Sequence, residues 1–389
     1  MQTEAPERPH GALDRGAPAL KLNPFKLERY FARHEFSAPY LLCSSDCESM
    51  ALRDLLALEP DTREQFDALW LGYTESEGDP RLRQAISALY QNVGSDRILV
   101  HAGAEEAIFN FMNVTLRAGD HIVVHSPCYQ SLSEVARGIG AEVSNWQGDP
   151  DRGWALDLED LPSLLTDRTR VVVVNFPHNP TGFLPAKDFV RELSNLSERR
   201  GFTLFSDEVY RGLELDPNDR LPALAEINEQ AVSLGVMSKT YGLAGLRIGW
   251  IATQDGRLLS ELAAFKDYTT ICSSAPSEFL AALALRHAET IAERNRRIIR
   301  ANLDRLDRFF ESNSDRFTWH RPRAGSIAFP ALLHDEADRF CADLVAKAGV
   351  LLLPGSLFGN YPAAFRIGFG RMNLPEALHQ LEKYIQKNR

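Results

Sequence analysis

Four consecutive valines at positions 171–174 constrain this chain more than any other stretch. A β-branched run of that kind offers no polar side to water. It reads as a strand buried on both faces, the situation found in parallel sheets covered by helices on either side. The flanking sequence repeats the pattern. Short apolar runs at 98–100, 122–124 and 203–205 alternate with helical periodicity over 82–90, from Glu105 onward, over 131–138 and over 187–200. This predicts an α/β unit with a mainly parallel sheet flanked by helices over residues 61–290.

Beyond it, a helical run at 281–310 leads into a mixed pattern, with short strands at 326–329, 350–353 and 365–368 and helices at 336–348 and 375–386. Residues 291–389 therefore read as a smaller α+β domain. Residues 1–60 contribute an N-terminal arm and part of that domain. Residues 1–20 are polar and read as a flexible arm. Asn23 and Pro24 open an amphipathic helix with Asn23 as its cap, and 40–43 is a short strand.

Net charge is −10, which argues against a broad nucleic-acid or anionic-membrane surface but leaves room for a small basic pocket. No stretch approaches the ~20 apolar residues of a membrane span, and the first twenty residues lack the apolar centre of a signal peptide. The five cysteines are scattered without a zinc spacing, so they are expected as free thiols of a cytoplasmic protein, with no metal site.

The chemistry concentrates at Ser238-Lys239-Thr240-Tyr241-Gly242-Leu243-Ala244-Gly245-Leu246-Arg247. A lysine among small and apolar residues is partly desolvated, which makes its amine a usable nucleophile. Glycines allow close backbone approach, and an arginine can fork onto a phosphate. A Schiff-base lysine beside a phosphate-binding arginine points to pyridoxal 5′-phosphate; a solvated loop lysine with a surface arginine is the alternative for this stretch taken alone.

Four upstream segments bear on that choice. His101-Ala102-Gly103-Ala104-Glu105 is a small-residue loop opening a helix, whose free N–H groups suit a phosphate. Ser126-Pro127-Cys128-Tyr129 presents an aromatic ring after a strand. Asn175-Phe176-Pro177-His178-Asn179-Pro180-Thr181-Gly182 follows the valines, and Ser206-Asp207-Glu208-Val209-Tyr210 ends the next strand.

In this order the segments resemble the class I/II aminotransferases, the fold-type I pyridoxal phosphate enzymes, over about residues 73–366. The resemblance implies the following roles. Lys239 binds the cofactor and is the catalytic base. Gly103, Ala104, Glu105, Ser238 and Arg247 hold the phosphate. Tyr129 stacks on the ring, Asn179 and Tyr210 share its 3′-oxygen, and Asp207 faces its nitrogen. Arg366, in Phe365-Arg366-Ile367-Gly368, grips the α-carboxylate of an amino acid substrate beside Asn179, with Arg371 as a competitor. Tyr73 crosses to the partner's phosphate in a homodimer with shared active sites.

Two departures stand out. Val236 replaces a phosphate-binding serine, and the N-terminal pocket segment reads Leu42-Cys43-Ser44-Ser45-Asp46-Cys47-Glu48. His34, Glu35, Asp46, Glu48, Glu75 and Glu77 are placed to put charge near a substrate side chain, which would favour a basic one. Some members with an altered N-terminal segment, the capreomycidine synthase-like and enduracididine-forming enzymes, eliminate a β- or γ-substituent and cyclise guanidino amino acids. The expectation is therefore an aminotransferase, with a lyase or cyclase as the alternative.

Overall fold

The computed structural model describes residues 20–388, so the arm expected over 1–20 lies outside the described residues except for Leu20. In chain order the strands are β1 (Tyr40–Leu41), β2 (Ile98–His101), β3 (His121–Ser126), β4 (Glu142–Gln147), β5 (Thr169–Asn175), β6 (Thr203–Asp207), β7 (Val232–Val236), β8 (Gly249–Thr253), β9 (Phe317–Thr318), β10 (Ile327–Ala328), β11 (Ala331–Leu332), β12 (Val350–Leu351), β13 (Leu353–Pro354) and β14 (Phe365–Gly368). Strands β2 to β8 form one seven-stranded sheet in the order β2-β8-β7-β6-β5-β3-β4. From β7 to β4 all neighbours are parallel, and β8 alone runs against both of its neighbours.

The valines of β5 show why the sheet must be covered twice. Val171 and Val173 join the apolar cluster containing Phe111 and Met112, from the helix Ala104–Thr115. Val172 and Val174 join another with Val190, Leu193 and Leu196, from the helix Lys187–Arg200. All four are fully buried, each contributing roughly 1.5–3 kcal/mol of burial.

Strands β4, β7 and β8 carry no comparable sequence signal. β4 is an edge strand with Glu142, Asn145 and Gln147 exposed. β7 is interrupted by Gly235, which its partner requires: a Cβ there would stand 2.2 Å from the ring of Trp250, its registered neighbour on β8.

Two expectations change. The run at 281–310 is not one helix but two, Ala275–Arg286 and Ala288–Ser312. At the break, Arg286 and His287 both bind the carboxylate of Glu59. The first helix packs Leu280 and Leu283 with Leu82 and Ile86, and the second begins in the same cluster with Ile291 before carrying Ile299, Leu303 and Leu306 to the cluster of Phe317 and Phe365. Asn23 does not cap the N-terminal helix Lys26–His34, which starts after Phe25 without a side-chain cap. Its backbone N–H and Nδ2 donate instead to Glu134 Oε1, 2.9 and 2.6 Å away, so it fastens the chain to a neighbouring helix.

Beside the large sheet, β10-β14-β13 is antiparallel, β9 pairs β11, and β1 lies parallel to β12 with Tyr40 opposite Val350. No helix among the described residues is long and apolar enough to cross a membrane. All five cysteines are free thiols.

Candidate active site

Parallel strands end on a common edge of the sheet, and loops leaving that edge are where open α/β folds hold ligands. Here the segments after β3, β5, β6 and β7 bring Tyr129, Asn179, Asp207, Tyr210, Ser238 and Lys239 to one cavity of about 510 Å³. Ala104, Glu105, Arg247 and Arg366 line it too. Of the residues expected to bind the cofactor or the substrate carboxylate, Gly103 and Tyr73 stand outside the lining.

Gly103 is the hinge into the helix Ala104–Thr115, at φ 91°, and a Cβ there would lie 2.6 Å from Arg247 Nη2. The arginine therefore rests on the first turn of that helix, where N–H groups are free and the dipole favours an anion. Arg247 is itself left-handed, at φ 51°, and its Nη1 donates to Ala244 O at 3.2 Å. Tyr73 is 87% exposed, facing away from the cavity of its own chain.

Lys239 is half-buried between the buried Ser238 and Thr240, and its Nζ donates to Ser45 Oγ at 2.8 Å. Burial is the main cause that lowers its pKa, opposed by the charge of Asp46. Asp207 ends β6 and accepts from the N–H of Val209 at 3.2 Å. Burial pushes its carboxyl up to about 7, a large cost for a charged group unless a cation lies against it. The Tyr210 hydroxyl is buried with no hydrogen-bond partner among the described residues.

Asn179 is held in a loop by its N–H to Asn175 Oδ1 at 2.7 Å, and Asn175 Nδ2 donates to Asp207 O at 2.8 Å, so the ends of β5 and β6 are tied together. Arg366 donates to Asn179 Oδ1 at 3.1 Å and to Cys43 O at 3.0 Å, while its Nε is buried and unpartnered. With its carbonyl oxygen on Arg366, Asn179 keeps its amide nitrogen for the cavity. Tyr129 packs its ring 5.1 Å from Phe25, and Ser131 Oγ donates to Glu105 Oε2 at 3.1 Å.

This donor set fits pyridoxal phosphate. An unpartnered tyrosine hydroxyl, a buried carboxyl lacking a cation, a depressed lysine and an arginine over a helix start are four open valences on one cavity wall.

The acidic residues expected around the substrate separate into two groups. Glu35 and Asp46 line the cavity, and so does Glu28, which sequence reading missed. Arg371 takes up Asp46 with two hydrogen bonds of 3.0 and 2.8 Å, leaving Glu28 and Glu35 without an ion-pair partner among the described residues. Four expected residues do not join them. His34 packs on Tyr30 at 4.7 Å, Glu48 accepts from the N–H of Met372 at 2.9 Å, and Glu75 and Glu77 both pair with Arg83. Helical spacing could have flagged Glu28, which sits three residues after Phe25 and three before Phe31, both of which line the cavity. Nothing in the sequence singles out Ser45.

The sequence profile described as aminotransferase class I and II matches residues 40–381. A capreomycidine synthase of Streptomyces vinaceus is 36% identical over 369 residues, covering 93% of this chain and 92% of that protein. Among solved structures, a PLP-dependent aminotransferase from Streptococcus suis superposes with a TM-score of 0.89 at 32% identity, covering 94% of this chain and 98% of that one. The PLP-dependent cyclase OrfR superposes with a TM-score of 0.86 at 29% identity, covering 95% and 98%.

Proposed function

We infer the reaction from one premise: the chain belongs to the class I and II aminotransferase family, and its cofactor is pyridoxal 5′-phosphate. We propose that it acts on an α-amino acid with a basic, guanidino-type side chain, removing a β- or γ-substituent and closing a ring. The observation that carries this reading is the pair Glu28 and Glu35, which face the cavity holding Lys239 and Arg366 and have no cation of their own. Two carboxylates without an ion-pair partner disfavour a dicarboxylic substrate and attract a cationic one. The Streptomyces vinaceus relative is a capreomycidine synthase and the structural neighbour OrfR a PLP-dependent cyclase, which supports the same reading.

In this proposal Arg247, Ser238 and the N–H groups of Gly103, Ala104 and Glu105 hold the phosphate, and Tyr129 covers the ring. Asn179 and Tyr210 bind its oxygen, and Asp207 keeps a proton on its nitrogen. When bound, the cofactor supplies an electron sink for the pair left by the α-proton. Arg366 forks onto the substrate carboxylate. Lys239 Nζ takes the α-proton as a neutral amine, the form its burial favours. With a hydroxyl as the substituent, a C–O bond breaks, a C–N bond to the guanidine forms and one water is released, with no net oxidation.

An aminotransferase acting on the same class of amino acid is the second reading, supported by the Streptococcus suis neighbour. The deciding experiment incubates the holoenzyme with L-arginine and with β-hydroxyarginine, without keto acid. A product lighter than hydroxyarginine by one water, formed over many turnovers, is expected. Stoichiometric keto acid with conversion to the aminated cofactor would overturn the cyclase reading in favour of transamination.

A homodimer with shared sites is part of the same proposal. Tyr73, Trp70 and Tyr268 are 87%, 80% and 91% exposed, an amount of bare aromatic surface that a second copy would cover. Light scattering giving the monomer mass would exclude it.

A further inference from the structure

The long helix Ala288–Ser312 touches the site without lining it. One side of it makes hydrogen bonds to main-chain carbonyls of segments that do. Arg294 Nη1 donates to Glu48 O at 2.8 Å and Nη2 to Ser49 O at 3.3 Å, at the end of the segment carrying Ser45 and Asp46. Asn295 Nδ2 donates to Thr240 O at 2.9 Å, one residue after Lys239. Asn302 Nδ2 donates to Phe369 O and Arg371 O at 2.9 and 2.8 Å, beyond the strand of Arg366.

Asn295 is the centre of this arrangement. It is fully buried, and its Oδ1 accepts from Arg294 Nη1 at 3.0 Å. One amide thus links two segments 194 residues apart that meet where Lys239 Nζ donates to Ser45 Oγ. The two backbones are already in contact. Gly242 is left-handed at φ 65°, and a Cβ on it would stand 2.6 Å from Glu48 O. The lysine loop therefore has one tight seat; Thr240 Oγ1 ties it to Val209 O and Arg211 O at 3.2 and 2.9 Å, and Asn295 ties it to the long helix.

We propose that Asn295 is a positioning residue for the reaction: through Thr240 O and Arg294 it fixes Lys239 against Ser45 in a water-poor setting. This rests on the reading of Lys239 as the cofactor lysine but not on the identity of the substrate. Removing the amide leaves Thr240 O buried without a donor, which favours a looser loop and water beside Nζ. A better-hydrated lysine keeps its proton to higher pH.

The test uses the holoenzyme and no substrate. The visible absorbance band of the lysine-bound cofactor is titrated with pH in wild type, Asn295→Ala and Asn295→Asp, the last retaining an acceptor for Arg294. Asn313→Ala is the control, at the C-terminal end of the same helix, where its Nδ2 donates to Phe309 O at 2.7 Å outside the cavity lining. The midpoint is expected to rise by about half a pH unit or more in both Asn295 variants and to stay put in Asn313→Ala, even where all three melt at lower temperature. Unmoved midpoints in the Asn295 variants, or an equal shift in Asn313→Ala, would overturn the inference. Borohydride reduction and peptide mass mapping separate the two claims. A cofactor label on a residue other than Lys239 defeats the site reading, whereas a label on Lys239 with an unmoved midpoint defeats only the role of Asn295.

Discussion

Asp207, Asn179 and Lys239 stand at strand ends or in the loops directly after them, rooted in a seven-stranded sheet, whereas Glu28 and Glu35 stand on and just after a nine-residue helix with one buried side chain, Leu27. The first group forms the floor of the cavity and the second its outer wall. The floor is cross-tied by buried hydrogen bonds, Asn179 to Asn175 and Asn175 to Asp207 among them. The wall is fastened at its N-terminal end by exposed contacts, Lys26 N to Gln130 Oε1 at 2.9 Å and Asn23 to Glu134. A weakly fastened segment opens more readily than a sheet. On the proposed function, the floor carries the chemistry and the outer wall selects the side chain.

If the floor carries the chemistry, the largest effect comes from Lys239→Ala. Turnover of any amino acid should fall by about 10⁴-fold or more, with loss of the visible band of the lysine-bound cofactor. Wild-type rates in this variant would remove the floor from the reaction.

Asp207→Asn should cost about 10²–10⁴-fold in turnover while cofactor remains bound, read by kinetics and absorbance. It also has a signature without cofactor. The folded carboxyl is raised to about 7 from its ordinary 3.8, so its contribution to stability is complete below pH 4 and is lost as pH climbs through 7. Thermal melts of the cofactor-free protein should therefore show Asp207→Asn gaining on wild type between pH 5 and pH 8. A gap that does not widen would mean that the carboxylate is already compensated.

The wall should respond in a different parameter. Glu28→Gln is expected to raise the KM for a guanidino amino acid by about tenfold, worth about 1.4 kcal/mol, with kcat changed far less and neutral amino acids unaffected. Equal losses on neutral and basic amino acids would erase the division between wall and floor. Glu35→Gln should show the same pattern at about two- to threefold, because Arg371 lies close enough to offset part of its charge.

The floor was legible in the sequence because each of its residues lies within a few positions of a strand end. Val171–Val174 announced β5 and the apolar run at 203–205 announced β6, whereas the roles of Asn179 after the one and of Asp207 at the end of the other came from the family resemblance of their motifs. The wall was legible only as a surplus of acids. Which of them line the cavity without an ion-pair partner depended on the cations they met: Arg83 holds Glu75 and Glu77, and Arg371 holds Asp46. Glu28 went unnoticed although its spacing puts it on the face of Phe25 and Phe31, because that spacing does not say what the face covers.

The sequence by itself determined the parallel sheet, the order of the strand-end segments and the lysine among small residues, since burial periodicity and loop chemistry are properties of neighbouring positions. Tertiary structure alone decided that Ser45 receives Lys239 across 194 residues, that Asp46 belongs to Arg371 across 325, and that Asn295 bonds the loop of the lysine. Such pairings depend on which distant backbones the packed core brings within hydrogen-bond reach, and no local pattern of residues encodes that distance.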